Sequence, residues 1–145
     1  MRMYIAWLVL VTVLGLSACA DPETPEAQIR AQIAVMAEAG EDGDIGVLGD
    51  GISRDYEDLE GNDRRAVLLL MRGFLMRTDR VAIFADTEAV SVLTDDYAEA
   101  TVRVRFAGAN LSRFDLRTSV YRFVLGMERD GSNWQVVSAR WSEAD

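Results

Sequence analysis

The stretch YRFVLGMERDGSNWQVVSARW, which runs from Tyr121 to Trp141, decides the fold of this chain. Its first half alternates apolar and polar residues, and the apolar residues that share one face are Tyr121, Phe123, Leu125 and Met127. A period of two is typical of a strand that is buried on one side only. Asp130-Gly131-Ser132-Asn133 is a turn sequence, and strand character resumes from Trp134 to Trp141. The stretch therefore predicts an antiparallel β-hairpin.

More strand sequence precedes this hairpin. Residues 97–106 alternate strictly, with Val102, Val104 and Phe106 on one face and arginines on the other. Segments 80–85 and 89–93 form either two strands or one long strand kinked at Asp86-Thr87, and a turn follows at 95–96. A loop over 108–113 leads to the strand that begins near Arg117 and contains the first half of the hairpin. The C-terminal half is therefore predicted to be an antiparallel sheet.

The N-terminal half has the longer apolar period of helices. A first helix is predicted over Glu26–Ala39, with Thr24 as N-cap, Pro25 at its start and Gly40 as its stop. A helical turn over 44–48 and a second long helix over 62–77 follow. Residues 66–76 are apolar almost all round, which indicates either a core helix under the sheet or a helix that also meets a partner or lines a pocket. Helices followed by antiparallel strands predict an α+β domain.

These elements resemble the nuclear-transport-factor-2-like superfamily, which includes SnoaL-like and ketosteroid-isomerase-like proteins. The resemblance rests on the helices at 26–39 and 64–77, the Gly- and Asp-rich connection between them, and the Asp130-Gly131-x-x-Trp134-x-Val136 hairpin. It covers residues 26–142 of one predicted domain, 26–145. It implies a curved antiparallel sheet wrapped around two to three N-terminal helices, a cone-like α+β barrel with a pocket on its concave side. Members bind small apolar molecules, catalyse isomerisation, cyclisation or dehydration, or pair and dock proteins, so the fold leaves the function open.

Strand alternation shows which residues share a face of the sheet, and the resemblance implies that the concave face lines a pocket. The candidate pocket residues are Tyr56, Val104, Phe106, Tyr121, Phe123 and Trp141. Trp134 and Trp141 have opposite parity on the last strand, so we expect one of them in the core and Trp141 near the pocket mouth. The outer face carries Arg103, Arg105 and Arg122. The resemblance implies that this face is a dimer surface, and the alternative is an exposed charged face that contributes little energy.

Missing residue types narrow the possible chemistry. The chain has no histidine and one cysteine, which excludes Ser-His-Asp and Cys-His catalysis and zinc sites of the usual ligand set. Neither a metal nor a cofactor is expected. Asp55 beside Tyr56 is the remaining acid–phenol pair, which could transfer protons if an apolar pocket raised the pKa of the aspartate. The alternative is that Asp55 is a solvated loop acid and Tyr56 is a core anchor.

Residues 1–18 have the pattern of a cleaved signal peptide. Arg2 precedes an apolar run of 13 residues, Tyr4–Leu16, which is short for a membrane-spanning helix of about 20 residues. Leu16-Ser17-Ala18-Cys19 resembles the bacterial lipobox, in which the cysteine receives a diacylglyceryl group before cleavage. We therefore expect a lipidated Cys19, a tether over 19–25, and a periplasm-facing protein of the bacterial envelope. Ala20 after the cysteine favours the outer membrane over the inner one.

Charge narrows the possible partners. The net charge is −9 and the acids are dispersed, which argues against nucleic-acid binding and against electrostatic adhesion to anionic lipids, so the lipid anchor would hold the protein at the membrane. The leading hypothesis is a non-enzymatic, lipid-anchored envelope domain that binds a small apolar ligand or docks to an envelope protein. The alternatives are a SnoaL- or isomerase-type enzyme that uses Asp55 and Tyr56, and a structural module that dimerises sheet to sheet.

Overall fold

The computed structural model describes residues 24–78, 80–108 and 120–144. Three helices come first: α1 (Pro25–Asp42), α2 (Ile45–Asp50) and α3 (Arg64–Arg77). Four strands follow: β1 (Val81–Val92), β2 (Tyr97–Gly108), β3 (Val120–Asp130) and β4 (Asn133–Ala144). This order confirms the predicted α+β class. The predicted signal peptide over 1–18, Cys19, most of the tether, nearly all of the loop over 108–113 and the start of the strand predicted from Arg117 lie outside the described residues.

The four strands form one antiparallel sheet in the order β1-β2-β3-β4. Val102 pairs with Phe123, and Phe123 pairs with Trp141, so the apolar faces of three strands coincide. The chain after α2 runs along the outer edge of β4. Val136 N donates to Gly51 O at 2.8 Å and Ser53 N donates to Val136 O at 2.9 Å, which forms an isolated parallel bridge between Ile52 and Val136. The helices cover the concave face of this curved sheet, as the predicted cone-like α+β fold requires.

Helix α1 begins as predicted but ends later. The side chain of Thr24 accepts a hydrogen bond from Ala27 N at 3.2 Å, and Pro25 occupies the first turn. The predicted stop at Gly40 is wrong, because the helix continues to Asp42 and ends at Gly43, whose φ of 71° is left-handed. A Cβ added at Gly40 would lie 2.7 Å from Cδ1 of Ile83. Glycine therefore serves at position 40 for close packing against β1 and not for a turn.

The core lies between α1 and the concave face of β2, β3 and β4. Its largest fully buried side chains are Ile29, Val102, Met127 and Trp134. The indole Nε1 of Trp134 donates to Oε1 of Gln28 at 3.1 Å, which satisfies the polar atom of a buried aromatic residue. This packing ties α1 to the closing strand of the sheet.

Two register shifts change which side chains share a face. One lies between Thr87 and Ala89 in β1, and it leaves a single long strand with Glu88 as the extra residue. The other lies opposite Gly126 and Met127, where Val137 is the extra residue in β4. Such a β-bulge reverses the alternation of the strand beyond it. The inference from parity that Trp134 and Trp141 face opposite sides of the sheet is therefore wrong, because both face the concave side.

Candidate functional site: an apolar groove between the helices and the sheet

A groove of about 540 Å³ lies between α1, α3 and the concave face of the sheet. Met36 and Ala37 line it from α1, and Met71 and Phe74 line it from α3. The sheet contributes Ile83, Ala85, Val102, Val104, Phe106, Tyr121, Phe123, Leu125 and Trp141. Five of the six candidate pocket residues therefore lie together in its wall, and Tyr56 does not.

A row of five aromatic rings crosses this groove from α3 to β4. The ring centroids are 6.2 Å apart for Phe74 and Phe106, and 6.4 Å apart for Phe106 and Tyr121. They are 6.4 Å apart for Tyr121 and Phe123, and 5.9 Å apart for Phe123 and Trp141. The rings meet edge-on or tilted, which is the favoured geometry of aromatic pairs. Trp141, at the end of the row, keeps 38% of its surface exposed, so it lies at the rim of the groove.

Tyr56 lies in the core and not in the groove. It is 5% exposed, and its hydroxyl donates to Oδ2 of Asp58 at 3.2 Å. Burial and the charge of Asp58 raise the pKa of the Tyr56 phenol well above its usual range. Asp55 is exposed, because the chain turns at Ser53, whose hydroxyl accepts from Asp55 N at 3.1 Å. The assignment of Tyr56 to the pocket and the proposed Asp55–Tyr56 pair are therefore wrong.

Asp58 is the polar residue that sequence reasoning missed. It is buried, and Oδ1 accepts from Glu60 N at 3.0 Å and from Asn62 N at 2.9 Å. Burial acts to raise the pKa of Asp58, but the hydrogen bonds from Asn62, Glu60 and Tyr56 outweigh it and hold that pKa below its usual value. The sequence signal is an Asp three residues before Gly61-Asn62, which is typical of a side chain that accepts hydrogen bonds from the backbone of its own turn. Asp58 therefore holds the loop before α3 and takes no part in the groove.

Helix α3 is a wall of the groove, and its inner side packs against the core. None of its residues is buried, although residues 66–76 are mostly apolar. Asp63 caps its first turn through Ala66 N at 2.8 Å. Arg64 fixes it to the preceding chain by donating from Nη2 to Gly49 O at 2.8 Å and from Nε to Ile52 O at 3.0 Å. The prediction of a core helix under the sheet is correct only in part, because Val67, Leu68 and Met71 pack partly buried against the core. The alternative of a pocket-lining helix agrees with this geometry.

The convex face of the sheet carries the three predicted arginines. Glu88, the bulge residue, lies between Arg103 and Arg122, with N–O distances of 2.8 and 3.0 Å. The hydrogen bond from Arg122 and the charge of Arg103 hold the pKa of Glu88 below its usual value. The guanidinium of Arg105 lies 5.0 Å from the ring centroid of Phe84. These contacts are within one chain, and pairing of two chains through this face stays a prediction.

The described wall of the groove carries few side chains for acid–base chemistry. Tyr121 is its one titratable lining residue, and no Asp, Glu or Arg contributes to its wall in the part of the chain that the structure describes. Over the same residues, no group of three or more His, Cys, Asp and Glu side chains could hold a metal ion. No helix within the described ranges is long and apolar enough to cross a membrane. The arrangement suits the enclosure of an apolar molecule.

Comparisons with known proteins extend this description. No family model and no curated protein matches the chain. Among solved structures, it is similar to a proposed dehydratase of the NTF2-like family from Streptomyces avermitilis, at 20% identity over 86% of this chain and 99% of that one, with a TM-score of 0.69. It is similar to a type 2 hexachlorocyclohexane dehydrochlorinase at 12% identity over 83% and 85% of the two chains, with a TM-score of 0.66.

A third similar structure is Bd1075 from Bdellovibrio bacteriovorus, at 8% identity and a TM-score of 0.69. The likeness covers 81% of this chain and spans 40% of the length of Bd1075. Likeness at such low identity concerns the fold and not the activity. The chain therefore has the NTF2-like α+β fold, and its structural neighbours include an enzyme, the dehydrochlorinase.

Proposed function

We propose that this chain is a lipid-anchored protein of the bacterial envelope whose groove binds a small apolar ligand without catalysing a reaction. The observation that carries the proposal is the lining of the groove, in which the described residues are aliphatic and aromatic and supply a single side-chain hydroxyl, that of Tyr121. Its volume of about 540 Å³ falls within the range of roughly 300–1,000 Å³ that is usual for small-molecule sites. A concave site of this size favours a small molecule over a docked envelope protein.

Two features weigh against an enzyme of the SnoaL or isomerase type. Asp55 lies in solvent, and the Tyr56 hydroxyl donates a hydrogen bond to Asp58 in the core, away from the groove wall. Proton transfer in such enzymes requires a base within hydrogen-bonding reach of the substrate. The dehydratase and dehydrochlorinase activities named above belong to those structural neighbours, and the described groove offers no base with which to repeat them.

A fluorescent apolar probe tests the ligand proposal. N-phenyl-1-naphthylamine is titrated into the protein, and we expect saturable binding that raises probe emission and quenches Trp141. Ala37→Phe, which fills the groove from α1, is expected to weaken binding at least tenfold. Ala31→Phe is the matched control, because Ala31 is exposed on the same helix and does not line the groove. Equal affinities for the two variants, with both folded by circular dichroism, would contradict a ligand site in the groove.

The lipid anchor is tested by mass spectrometry of the mature N-terminus. We expect a protein that begins at Cys19 and carries the added mass of a diacylglyceryl group on its thiol. Cell fractionation then assigns the inner or outer membrane, with the outer membrane expected. A mature protein with an unmodified Cys19 would exclude the anchor and leave the groove experiment unaffected.

A further inference from the structure

The outer side of α3 carries arginine and large apolar side chains together. Residues at i, i+4, i+7 and i+11 of a helix share one line, and in α3 these are Arg65, Leu69, Arg72 and Met76. Leu69 is 60% exposed and Met76 is 76% exposed. We name these four residues the α3 stripe. Large apolar groups exposed in a row indicate an interaction surface.

The orientation of this stripe follows from how α3 is attached. Arg64 binds the carbonyl oxygens of Gly49 and Ile52, and Leu68 lies beside Gly49, so the side of α3 that bears these residues packs on the chain around α2. Phe74 faces the groove. The stripe therefore faces away from the domain on a helix that is fixed at its start.

The charge of α3 differs from that of the rest of the chain. The helix has four arginines and no acidic residue, whereas the chain has 24 acidic residues and a net charge of −9. Arg65 and Arg72 have no ion pair or side-chain hydrogen bond with the described residues, in contrast to the convex-face arginines that bind Glu88. Together with Arg54 they border a hollow of about 520 Å³. The acid in that hollow, Asp63, is engaged in capping α3.

We propose that the α3 stripe docks on the surface of an anionic phospholipid bilayer. A helix with cationic and large apolar side chains on one exposed face suits the bilayer interface, where Leu69 and Met76 would enter the acyl boundary. Arg65 and Arg72 have aliphatic stems long enough to keep their guanidinium groups at the phosphates. The net charge of the chain conceals this local excess, because its acids lie outside α3. The inference rests on the proposed envelope location and is independent of the groove ligand.

The experiment places a fluorophore on the stripe of the mature, lipidated protein. A lipidated Cys19 has no free thiol, and Cys19 is the one cysteine of the chain, so an introduced cysteine can be labelled alone. Leu69→Cys reports on α3, and Ser91→Cys is the control, because Ser91 is exposed and pairs with Glu99 on the convex face. Each protein is inserted into vesicles of phosphatidylglycerol and phosphatidylethanolamine, with brominated acyl chains as quenchers. If two labels are found per molecule, Cys19 carries a free thiol. The measurement is then repeated with Cys19→Ser, so that the introduced cysteine is labelled alone.

We expect bromine to quench the label at position 69 and not the label at position 91. Arg65→Gln with Arg72→Gln should lower the ratio of docked to undocked protein by about fivefold for each arginine. Arg105→Gln with Arg140→Gln removes the same charge from the convex face and should change nothing. Equal quenching at the two labels, or quenching that the α3 substitutions leave unchanged, overturns the proposal. A change in the emission of the label at position 69 that depends on protein concentration and not on lipid overturns the proposal and indicates that a second copy of the chain covers the stripe.

Discussion

The Asp58 carboxylate is the polar group on which the loop before α3 depends. It is 6% exposed and accepts from Glu60 N, from Asn62 N and Nδ2, and from the Tyr56 hydroxyl, at distances of 2.9 to 3.2 Å. Asp58→Ala removes these acceptors and leaves the Asn62 amide and the buried Tyr56 hydroxyl without a partner. Because Arg64 anchors α3 just after this loop, the loss also loosens one wall of the groove.

The expected cost of Asp58→Ala follows from these contacts. A hydrogen bond to a charged group contributes about 1.5–3 kcal/mol, and contributions within one cluster do not add fully. We expect the free energy of unfolding to fall by about 2–4 kcal/mol, out of a usual total of about 5–15 kcal/mol. Asp55→Ala is the matched control, because Asp55 is exposed in the same loop, and its effect should stay within about 0.5 kcal/mol.

Urea unfolding followed by tryptophan fluorescence measures both variants. The midpoint for Asp58→Ala should fall by roughly 1–2 M urea relative to that for Asp55→Ala. The contribution of Asp58 to the free energy of unfolding should also depend on pH. Because the pKa of Asp58 is lowered in the folded protein, its contribution is present above the unfolded pKa of about 3.9 and is lost as the pH falls through the folded pKa. The difference in the free energy of unfolding between wild type and Asp58→Asn should therefore shrink below about pH 4.

Two results would refute this reasoning. One is an equal midpoint for Asp58→Ala and Asp55→Ala, which would mean that the hydrogen bonds of Asp58 in the folded protein are matched by those with water in the unfolded chain. The other is a difference in the free energy of unfolding between wild type and Asp58→Asn that stays constant down to about pH 2. The difference is expected to shrink there, because a protonated Asp58 cannot accept all the hydrogen bonds that the carboxylate accepts.

Further expected outcomes concern packing and assembly. Gly73→Ala should raise the free energy of unfolding by about 0.5–1 kcal/mol, because an added Cβ meets nothing within 4 Å and alanine favours helix. Gly108→Ala should lower the free energy of unfolding by about 1–3 kcal/mol, because the Cβ would overlap the carbonyl oxygen of Arg80. A higher melting temperature for Gly108→Ala than for Gly73→Ala would contradict the described packing. If two chains pair through the convex face, sedimentation at high micromolar concentration should show a dimer that Arg105→Glu dissociates. A wild-type monomer there excludes that pairing.

Alternation along the strands predicted much of the groove from the sequence. Parity alone places Val104, Phe106, Tyr121 and Phe123 on the apolar faces of their strands, and they line the groove together. Parity is a local property of an extended chain, so it can be read without knowing what packs against the strand. The caps of α1 and the turn at Asp130-Gly131 are local in the same sense, because each depends on residues only a few positions apart.

The sequence by itself determined the α+β order and the strand faces, and the resemblance implied a pocket on the concave side. The tertiary structure decided the rest, and the bulge at Val137 that brings Trp134 and Trp141 to one face is an example. Tyr56 bonds Asp58 and not Asp55, because the turn at Ser53 sets which side chain is buried. Helix α3 lines the groove with one side and exposes Leu69 on the other. An apolar pattern indicates which side chains avoid water, but only the arrangement of neighbouring elements determines which of them pack against another side chain.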